Sequence, residues 1–167
     1  MKKSAKITTV AIIVLLVCLL AAVTQTNLKN ANNPQEIELK DLEGNMQTIA
    51  LNDKPSVLLF FTSWCPYCNE DAPKIVSMYQ KYKSDINIYG INLINRENDP
   101  DDVREYIKKY NIDYPVLLDD GGNLYRKYRA PGFPTLIFLN KHGKEMNRIV
   151  GSTAIEIIER QFTNAIN

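Results

Sequence analysis

The chain has 167 residues, with 20 Lys and Arg against 19 Asp and Glu, so its net charge at pH 7 is +1. This near balance excludes the classes of nucleic-acid-binding protein that depend on a strongly basic face. Only three cysteines occur, too few for a disulfide framework, so the fold depends on a core drawn from the 45% of residues that are hydrophobic.

The N-terminal region predicts a membrane anchor. Residues 1–6 are basic, and residues 7–23 are uncharged and mostly apolar. As a helix at about 1.5 Å per residue, the apolar stretch spans roughly 26 Å, slightly less than the hydrocarbon thickness of a bilayer, about 30 Å. A cleaved signal peptide is the alternative, although Ala21-Ala22-Val23 is a poor cleavage site. Under either interpretation the positive end stays in the cytoplasm and the following chain is exported.

Residues 24–35 predict a flexible tether between this anchor and a globular domain. They are rich in Asn, Gln and Thr and nearly devoid of apolar residues, so they cannot bury enough surface to fold. A coil of this length spans roughly 20 Å. Cys18, inside the apolar stretch, is interpreted as a small membrane residue rather than a lipidated one, because Val17 stands where bacterial lipoproteins carry Gly, Ala or Ser.

Residues 36–167 predict one α/β domain, in which a hairpin is followed by βαβα and then by ββα. The strands are predicted at residues 37–39, 46–51, 57–62, 86–93, 136–139 and 145–150. Helices are predicted at residues 65–82, from Asp99-Pro100 onward, at 124–128 and at 153–165. Pro73 should kink the first of them. Asp99 is the predicted N-cap of the second helix, on which Val103 and Tyr106 share one apolar face.

The most informative stretch is Trp64-Cys65-Pro66-Tyr67-Cys68, directly after the apolar strand predicted at 57–62. Two thiols one helical turn apart can close a small disulfide ring and reopen it. If Cys65 lies at a helix N-terminus, unpaired N–H groups and the helix dipole stabilise its thiolate and depress its pKa. Cys65 is therefore the predicted nucleophile, at the helix start and partly exposed, and Cys68 is the predicted resolving thiol.

Other uses of a cysteine pair fit this sequence less well. A zinc site needs about four ligands, whereas the third cysteine lies in the membrane segment and the only histidine, His142, falls in a predicted turn. A c-type haem site needs a histidine directly after the second cysteine, and Asn69 stands there. We therefore predict no metal ligands and no cofactor. A purely structural disulfide remains the alternative to a redox-active one.

Together with this motif, further features resemble the TlpA/ResA-like family of membrane-anchored, extracytoplasmic thioredoxin-fold proteins over about residues 36–165. These features are Pro73, the segment Tyr114-Pro115-Val116-Leu117-Leu118-Asp119, the tripeptide Phe133-Pro134-Thr135, and Asn140-x-x-Gly143-Lys144. The resemblance implies a thioredoxin-like α/β fold, with a mixed central sheet, helices on both faces and a single N-terminal transmembrane helix before it. It also implies a thiol–disulfide oxidoreductase.

The resemblance also suggests roles for individual residues. Pro134 resembles the cis-proline that faces the cysteine pair in thioredoxin-fold sites, Phe133 would line the substrate surface, and Trp64 would pack beside the sulfurs. Simple core filling is the alternative for Trp64. Asp71 stands where ResA-like proteins carry a glutamate that is thought to move protons to and from the thiols. The alternative interpretation of Asp71 is a carboxylate that stands in an early turn of the helix because the helix dipole favours negative charge there.

The resemblance implies a cell-membrane protein with one transmembrane pass, whose outer domain reduces protein disulfides, apocytochrome c or spore-envelope proteins being candidates. Electrons would come from a membrane dithiol carrier of the CcdA or DsbD type, and no nucleic acid is involved. Three alternatives stay open: a thiol oxidase, a non-catalytic binding module, and a peroxiredoxin-like peroxidase. The peroxidase alternative is suggested by Thr62-x-x-Cys65, but this chain has Leu58 at the position where peroxiredoxins have proline. Pro66-Tyr67 matches glutaredoxins, which leaves the reduction potential open.

Overall fold

The computed structural model describes Leu16, Cys18 and residues 36–167. Apart from those first two residues, the predicted basic N-terminus (1–6), transmembrane segment (7–23) and tether (24–35) lie outside the described residues. In the part that is described, no helix has both the length and the apolar character needed to cross a membrane. The domain that begins at residue 36 belongs to a compact unit that extends to the last residue of the chain.

Residues 36–167 contain a mixed seven-stranded sheet with the strand order β2-β1-β5-β4-β3-β6-β7. Its strands are β1 (Glu36–Lys40), β2 (Met46–Ala50), β3 (Ser56–Phe61), β4 (Asn87–Asn92), β5 (Val116–Leu118), β6 (Thr135–Leu139) and β7 (Glu145–Val150). Strand β3 pairs in parallel with β4 and antiparallel with β6, and all six of its residues are buried. Its continuous apolar run therefore forms a central strand covered on both faces, as predicted.

Helices cover both faces of the sheet. They are α1 (Pro66–Tyr82), α2 (Pro100–Tyr110), α3 (Asn123–Lys127) and α4 (Ile155–Ile166). Alternate residues of β3 point to opposite faces, so Phe61 packs in one core cluster with Ile75 of α1 and Phe162 of α4, while Phe60 packs in a second cluster with Leu124 of α3. The prediction of helices on both faces is confirmed.

The helix boundaries follow local chemistry. Helix α2 begins at the predicted N-cap, Asp99, whose side chain accepts from the backbone N–H of Asp101 and forms a capping box with Asp102. It ends at Asn111, which adopts a left-handed conformation with φ 51°. Helix α1 continues through Pro73 to Tyr82.

Two short elements were not predicted. Strand β5 has three residues. It pairs in parallel with β4, and it pairs with β1 at one position, where Leu118 lies opposite Lys40. A run of three residues after a proline is too short to carry a periodic pattern, so its strand character comes from tertiary pairing. A 3₁₀ turn at Ile94–Arg96 follows β4, and it lies beside the predicted site.

Candidate active site

Cys65 lies where the central strand meets the first helix. Strand β3 ends at Phe61, and Cys65 is the N-cap of α1, with extended backbone angles of φ −69° and ψ 120°. Pro66 is the first helical residue, a position where its missing N–H has no helical partner to lose. This geometry places the Cys65 side chain at the positive end of the helix dipole, as predicted.

The expectation that Cys65 is partly exposed is wrong, because its exposed fraction is 5%. The cause is the segment before β6, which folds against the sulfur. The Sγ atom of Cys65 lies 3.6 Å from the carbonyl oxygen of Phe133, to which the thiol donates. The predicted nucleophile, Cys65, is therefore covered by the segment before β6 rather than open to solvent on all sides.

Cys68 lies one helical turn further in and is 2% exposed. Burial raises the pKa of the Cys68 thiol well above its ordinary value of 9.0; the backbone amide of Thr62 opposes this, while Cys65 and the negative charge of Asp71 add to it. The turn that carries Cys68 is held from α2, because the Tyr106 hydroxyl donates to the Cys68 carbonyl at 2.8 Å. Both cysteines are free thiols. Cys68 is thus a protonated thiol at neutral pH.

The peptide bond between Phe133 and Pro134 is cis, which confirms the conformation predicted for Pro134. The next residue, Thr135, begins β6 and pairs with Phe60 near the end of β3. Pairing of these two strands therefore brings the cis bond next to the loop that carries Cys65. The Pro134 carbonyl accepts a hydrogen bond from the Gly151 N–H at 2.8 Å. A role for Phe133 and Pro134 in binding substrate stays a prediction.

The exposed side chain of Trp64 lies beside Cys65. Its side chain is 49% exposed, so it is not a core residue. Its indole N–H donates to the Arg96 carbonyl at 2.8 Å, and its ring meets the Phe133 ring edge-on, with 6.4 Å between centroids. Tyr67, two residues after Cys65, is 59% exposed. The surface around the buried sulfur is therefore largely aromatic.

Asp71 is buried, with 1% of its surface exposed. Its Oδ1 accepts from the Lys74 ammonium at 2.7 Å and from the Ser152 hydroxyl at 2.6 Å. Its Oδ2 is buried without a hydrogen-bond partner among the described residues. The helix dipole alone does not account for burial of a carboxylate, because burial without compensation is unfavourable. Its position and its effect on the Cys68 pKa favour a role at the cysteine pair.

Lys74 is the cation that compensates Asp71. It also donates to the carbonyl of Thr153 at 2.8 Å, so it ties α1 to the loop after β7. Burial opposes the charge on Lys74, but the hydrogen bonds that Lys74 donates to Asp71 and Glu70, together with the charges of these carboxylates, outweigh burial and raise the pKa of Lys74. Its spacing of three residues from Asp71 was visible in the sequence. Ser152, 81 positions away from Asp71, carried no such signal.

Glu97 is a second residue that the sequence did not single out. Its carboxylate accepts from the backbone N–H of Ser63 at 2.8 Å, from the Ser63 hydroxyl at 2.5 Å and from the Asn92 side-chain amide at 2.6 Å. It therefore fixes the residue that precedes Trp64 and Cys65. In the described part of the chain, no group of three or more His, Cys, Asp or Glu side chains could hold a metal ion.

Comparison with known proteins gives a consistent result. Residues 23–144 match the model described as the AhpC/TSA family. Sporulation thiol-disulfide oxidoreductase A of Bacillus subtilis is 31% identical over 137 residues, which cover 81% of this chain and 83% of that protein. Thiol-disulfide oxidoreductase ResA of Bacillus thuringiensis is 31% identical over 127 residues, which cover 75% of this chain and 66% of that protein.

Solved structures agree in fold. The crystal structure of StoA from Bacillus subtilis superposes with a TM-score of 0.67 and 29% identity, and the match covers 77% of this chain and 96% of that one. A DsbE-like thiol:disulfide interchange protein from Chlorobium tepidum gives a TM-score of 0.71 at 23% identity, covering 81% of this chain and 96% of that one. The domain that carries the two thiols therefore has a thioredoxin-like fold.

Proposed function

The chain belongs to the AhpC/TSA family and is a thiol–disulfide oxidoreductase of the TlpA/ResA-like kind, and we propose that it reduces disulfides of exported proteins through Cys65 and Cys68. One observation carries this proposal. A thiol at a helix N-terminus lies against the carbonyl that precedes a cis-proline, and a second, buried thiol lies one turn behind it.

The proposed reaction has two exchange steps. In the first, the thiolate of Cys65 attacks one sulfur of a substrate disulfide; the substrate S–S bond breaks, and the departing sulfur takes a proton from solvent. In the second, Cys68 loses its proton and attacks the Cys65 sulfur, which releases the other substrate sulfur as a thiol. The balance is one substrate disulfide reduced to two thiols and two protein thiols oxidised to one disulfide.

The surroundings of the two thiols support this order of events. Cys65 lies at the N-terminus of α1, and the exposed side chain of Trp64 lies beside it. Cys68 is buried, and its raised pKa keeps it protonated until a mixed disulfide forms next to it. A protonated second thiol does not compete for the substrate.

Asp71 is the proposed acceptor for the Cys68 proton. Lys74 and Ser152 occupy its Oδ1, and its buried Oδ2 has no partner in the described residues, so the lone pairs of Oδ2 remain open on a carboxylate whose charge acts on Cys68. Such a carboxylate can take the proton as Cys68 attacks and return it when the pair is reduced again. Aspartate is one methylene shorter than the glutamate that the family resemblance implies at this position.

Substrate binding is proposed at the loop that carries the cis-proline. An extended peptide beside Pro134 can form main-chain hydrogen bonds, which suits disulfides in unfolded segments. The Trp64 and Phe133 rings, which meet edge-on, supply aromatic surface near Cys65.

The proposed location is the outer face of the cell membrane. The apolar stretch at 7–23, with the basic residues before it, supports an N-terminal anchor, and the tether at 24–35 supports a domain held near the bilayer. Substrates outside the cytoplasm would include apocytochrome c or proteins of the spore envelope. Electrons would return from a membrane dithiol carrier of the CcdA or DsbD type.

Trapping of the mixed disulfide tests the proposal. Expression of the full chain with Cys68→Ala in its host should yield proteins linked to Cys65 that reductant releases. The matched control is Cys65→Ser in the same background, which should yield none. Cys18→Ser added to Cys68→Ala should leave the adducts unchanged, because they depend on Cys65.

Three results would contradict the proposal. The first is the absence of adducts with Cys68→Ala. The second is the same set of adducts after Cys65→Ser. The third is rapid consumption of peroxide by the purified chain together with no reduction of protein disulfides, which would establish the peroxidase alternative.

A further inference from the structure

The rim of the candidate site carries one cation, Arg96, at the end of the 3₁₀ turn after β4. Its backbone carbonyl accepts the indole N–H of Trp64 at 2.8 Å. Its guanidinium carbon lies 5.8 Å from the ring centroid of Phe133 and 5.3 Å from that of Tyr125. Arg96 therefore contacts both the residue before Cys65 and the residue before the cis-proline.

Two aromatic rings support the guanidinium of Arg96. The Tyr125 and Phe133 rings pack against each other with 5.4 Å between centroids, and both lie beneath the guanidinium. Stacking on aromatic faces restricts an arginine while leaving its N–H donors available at the edge of the plane. The cation is thus oriented before any substrate arrives.

In residues 36–167, Arg96 forms no ion pair with a carboxylate, unlike two other arginines. Arg104 pairs with Glu43, and Arg148 pairs with Glu145. The carboxylate next to Arg96 in the chain, Glu97, is occupied by Ser63 and Asn92. Among residues 36–167, no ion pair therefore engages the Arg96 guanidinium.

Two acidic residues near Trp64 line a different groove. Asp102 and Glu105 lie with Lys109 in a cavity of about 370 Å³ between α1 and α2, which Trp64 borders and in which Arg96 takes no part. The rim next to Phe133 is thus aromatic and positive. Its chemical complement is an extended peptide segment with a carboxylate.

We propose that Arg96 is a specificity residue that favours disulfides in segments with an acidic side chain close to the attacked cysteine. This inference rests on the proposed reductase function and deepens it. A substrate carboxylate would accept from the free guanidinium N–H groups while the substrate backbone lies along the cis-proline loop. The reaction itself is unchanged, with one disulfide reduced and the Cys65–Cys68 pair oxidised.

The test uses the full chain, reduced beforehand, in single-turnover reactions with three cyclic peptides closed by one disulfide. The peptides differ only in the residues that flank one cysteine, which are Glu, Gln or Lys. We expect the Glu peptide to react about threefold faster than the Gln peptide and the Lys peptide to be slowest, as for an exposed ion pair. The preference should shrink as salt rises from about 0.01 M to about 0.5 M.

Arg96→Gln should remove the preference for the Glu peptide over the Lys peptide, while Arg96→Lys should keep part of it. Arg160→Gln, an exposed arginine on α4, is the matched control and should behave as the original chain. The emission of Trp64, the only tryptophan in the chain, reports whether the rim is intact in each variant.

Two results would overturn the inference. One is a preference that survives Arg96→Gln. The other is an equal slowing of all three peptides by Arg96→Gln with the Trp64 emission unchanged, because Arg96 would then act on Cys65 rather than on the substrate. If the original chain reduces none of the peptides and no protein disulfide, the reductase proposal itself fails.

Discussion

The two thiols of the candidate site are chemically identical and one helical turn apart, but their surroundings differ. Cys65 ends a loop at the domain edge, with a helix N-terminus behind it and exposed aromatic rings beside it. Cys68 is enclosed, held by Tyr106 and close to a buried carboxylate. The proposed division of roles between nucleophile and resolving thiol therefore depends on position, since the side chains themselves are the same.

Removal of each sulfur in turn tests the contrast between Cys65 and Cys68 most strongly. Cys65→Ser should lower single-turnover reduction of a peptide disulfide by at least about 10³-fold, because no other thiolate is available at the helix terminus. Cys68→Ser should still form the mixed disulfide and should fail only to release it. Mass spectrometry of quenched reactions distinguishes the two outcomes. Adducts on Cys68 in the Cys65→Ser chain would reverse the assigned roles.

Removal of the buried carboxylate affects only the inner thiol. Asp71→Asn should slow the release of the mixed disulfide by about 10²-fold, within the usual range for general base catalysis, and leave its formation nearly unchanged. Lys74→Met, which removes the cation from Oδ1, should slow the same step by a smaller factor. Rapid quench with alkylation measures both steps. Equal slowing of formation and release would indicate a structural effect instead.

The buried thiol should also make stability depend on pH. Since burial raises the Cys68 pKa, the native state keeps a proton that the unfolded chain releases above the ordinary value of 9.0. Stability is therefore full below pH 9.0 and is lost as pH rises from there towards the folded pKa, by up to about 1.4 kcal/mol per pH unit.

Urea unfolding of the reduced chain between about pH 7 and pH 10 measures this loss. Cys68→Ala is the matched control, because Lys74, Tyr106 and Tyr114 also have raised pKa values and contribute in the same direction. The difference between the two chains isolates Cys68. Parallel curves would mean that the thiol is not as enclosed as the structure has it.

The smallest expected effect concerns the contact between α2 and the turn that carries Cys68. Tyr106→Phe removes the hydroxyl that donates to the Cys68 carbonyl and should reduce the free energy of unfolding by about 1 kcal/mol. It leaves the Tyr106 ring in place against Phe61. The reduction rate should change less than stability does. A large loss of rate with unchanged stability would assign Tyr106 a direct part in the chemistry.

The domain could be predicted from local signals where those signals are strong. The apolar run of β3, the Asp99 N-cap and the cis-proline before β6 were all visible in the sequence, and each is confirmed. Strand β5 was missed because three residues after a proline form a strand only when β4 and β1 pair with them. Local propensity carries no information about such pairing.

The site was predictable to a similar extent. The cysteine spacing and Asp71 lie on one helix, so local geometry relates them. The burial of Cys65 was mispredicted because it depends on Phe133, 68 positions later. Arg96, Glu97 and Ser152 join the site only through tertiary structure, and no short motif contains them.

The loop after β7 connects the cis-proline segment to the buried Asp71. Gly151 holds the Pro134 carbonyl, while Ser152 and the Thr153 carbonyl engage Asp71 and Lys74. If substrate docks on the proline segment as proposed, a shift of that segment should be transmitted through three consecutive residues to Asp71, the proposed proton acceptor. Lengthening this loop by one glycine would uncouple the two events, so that peptides would still dock but their release would lag.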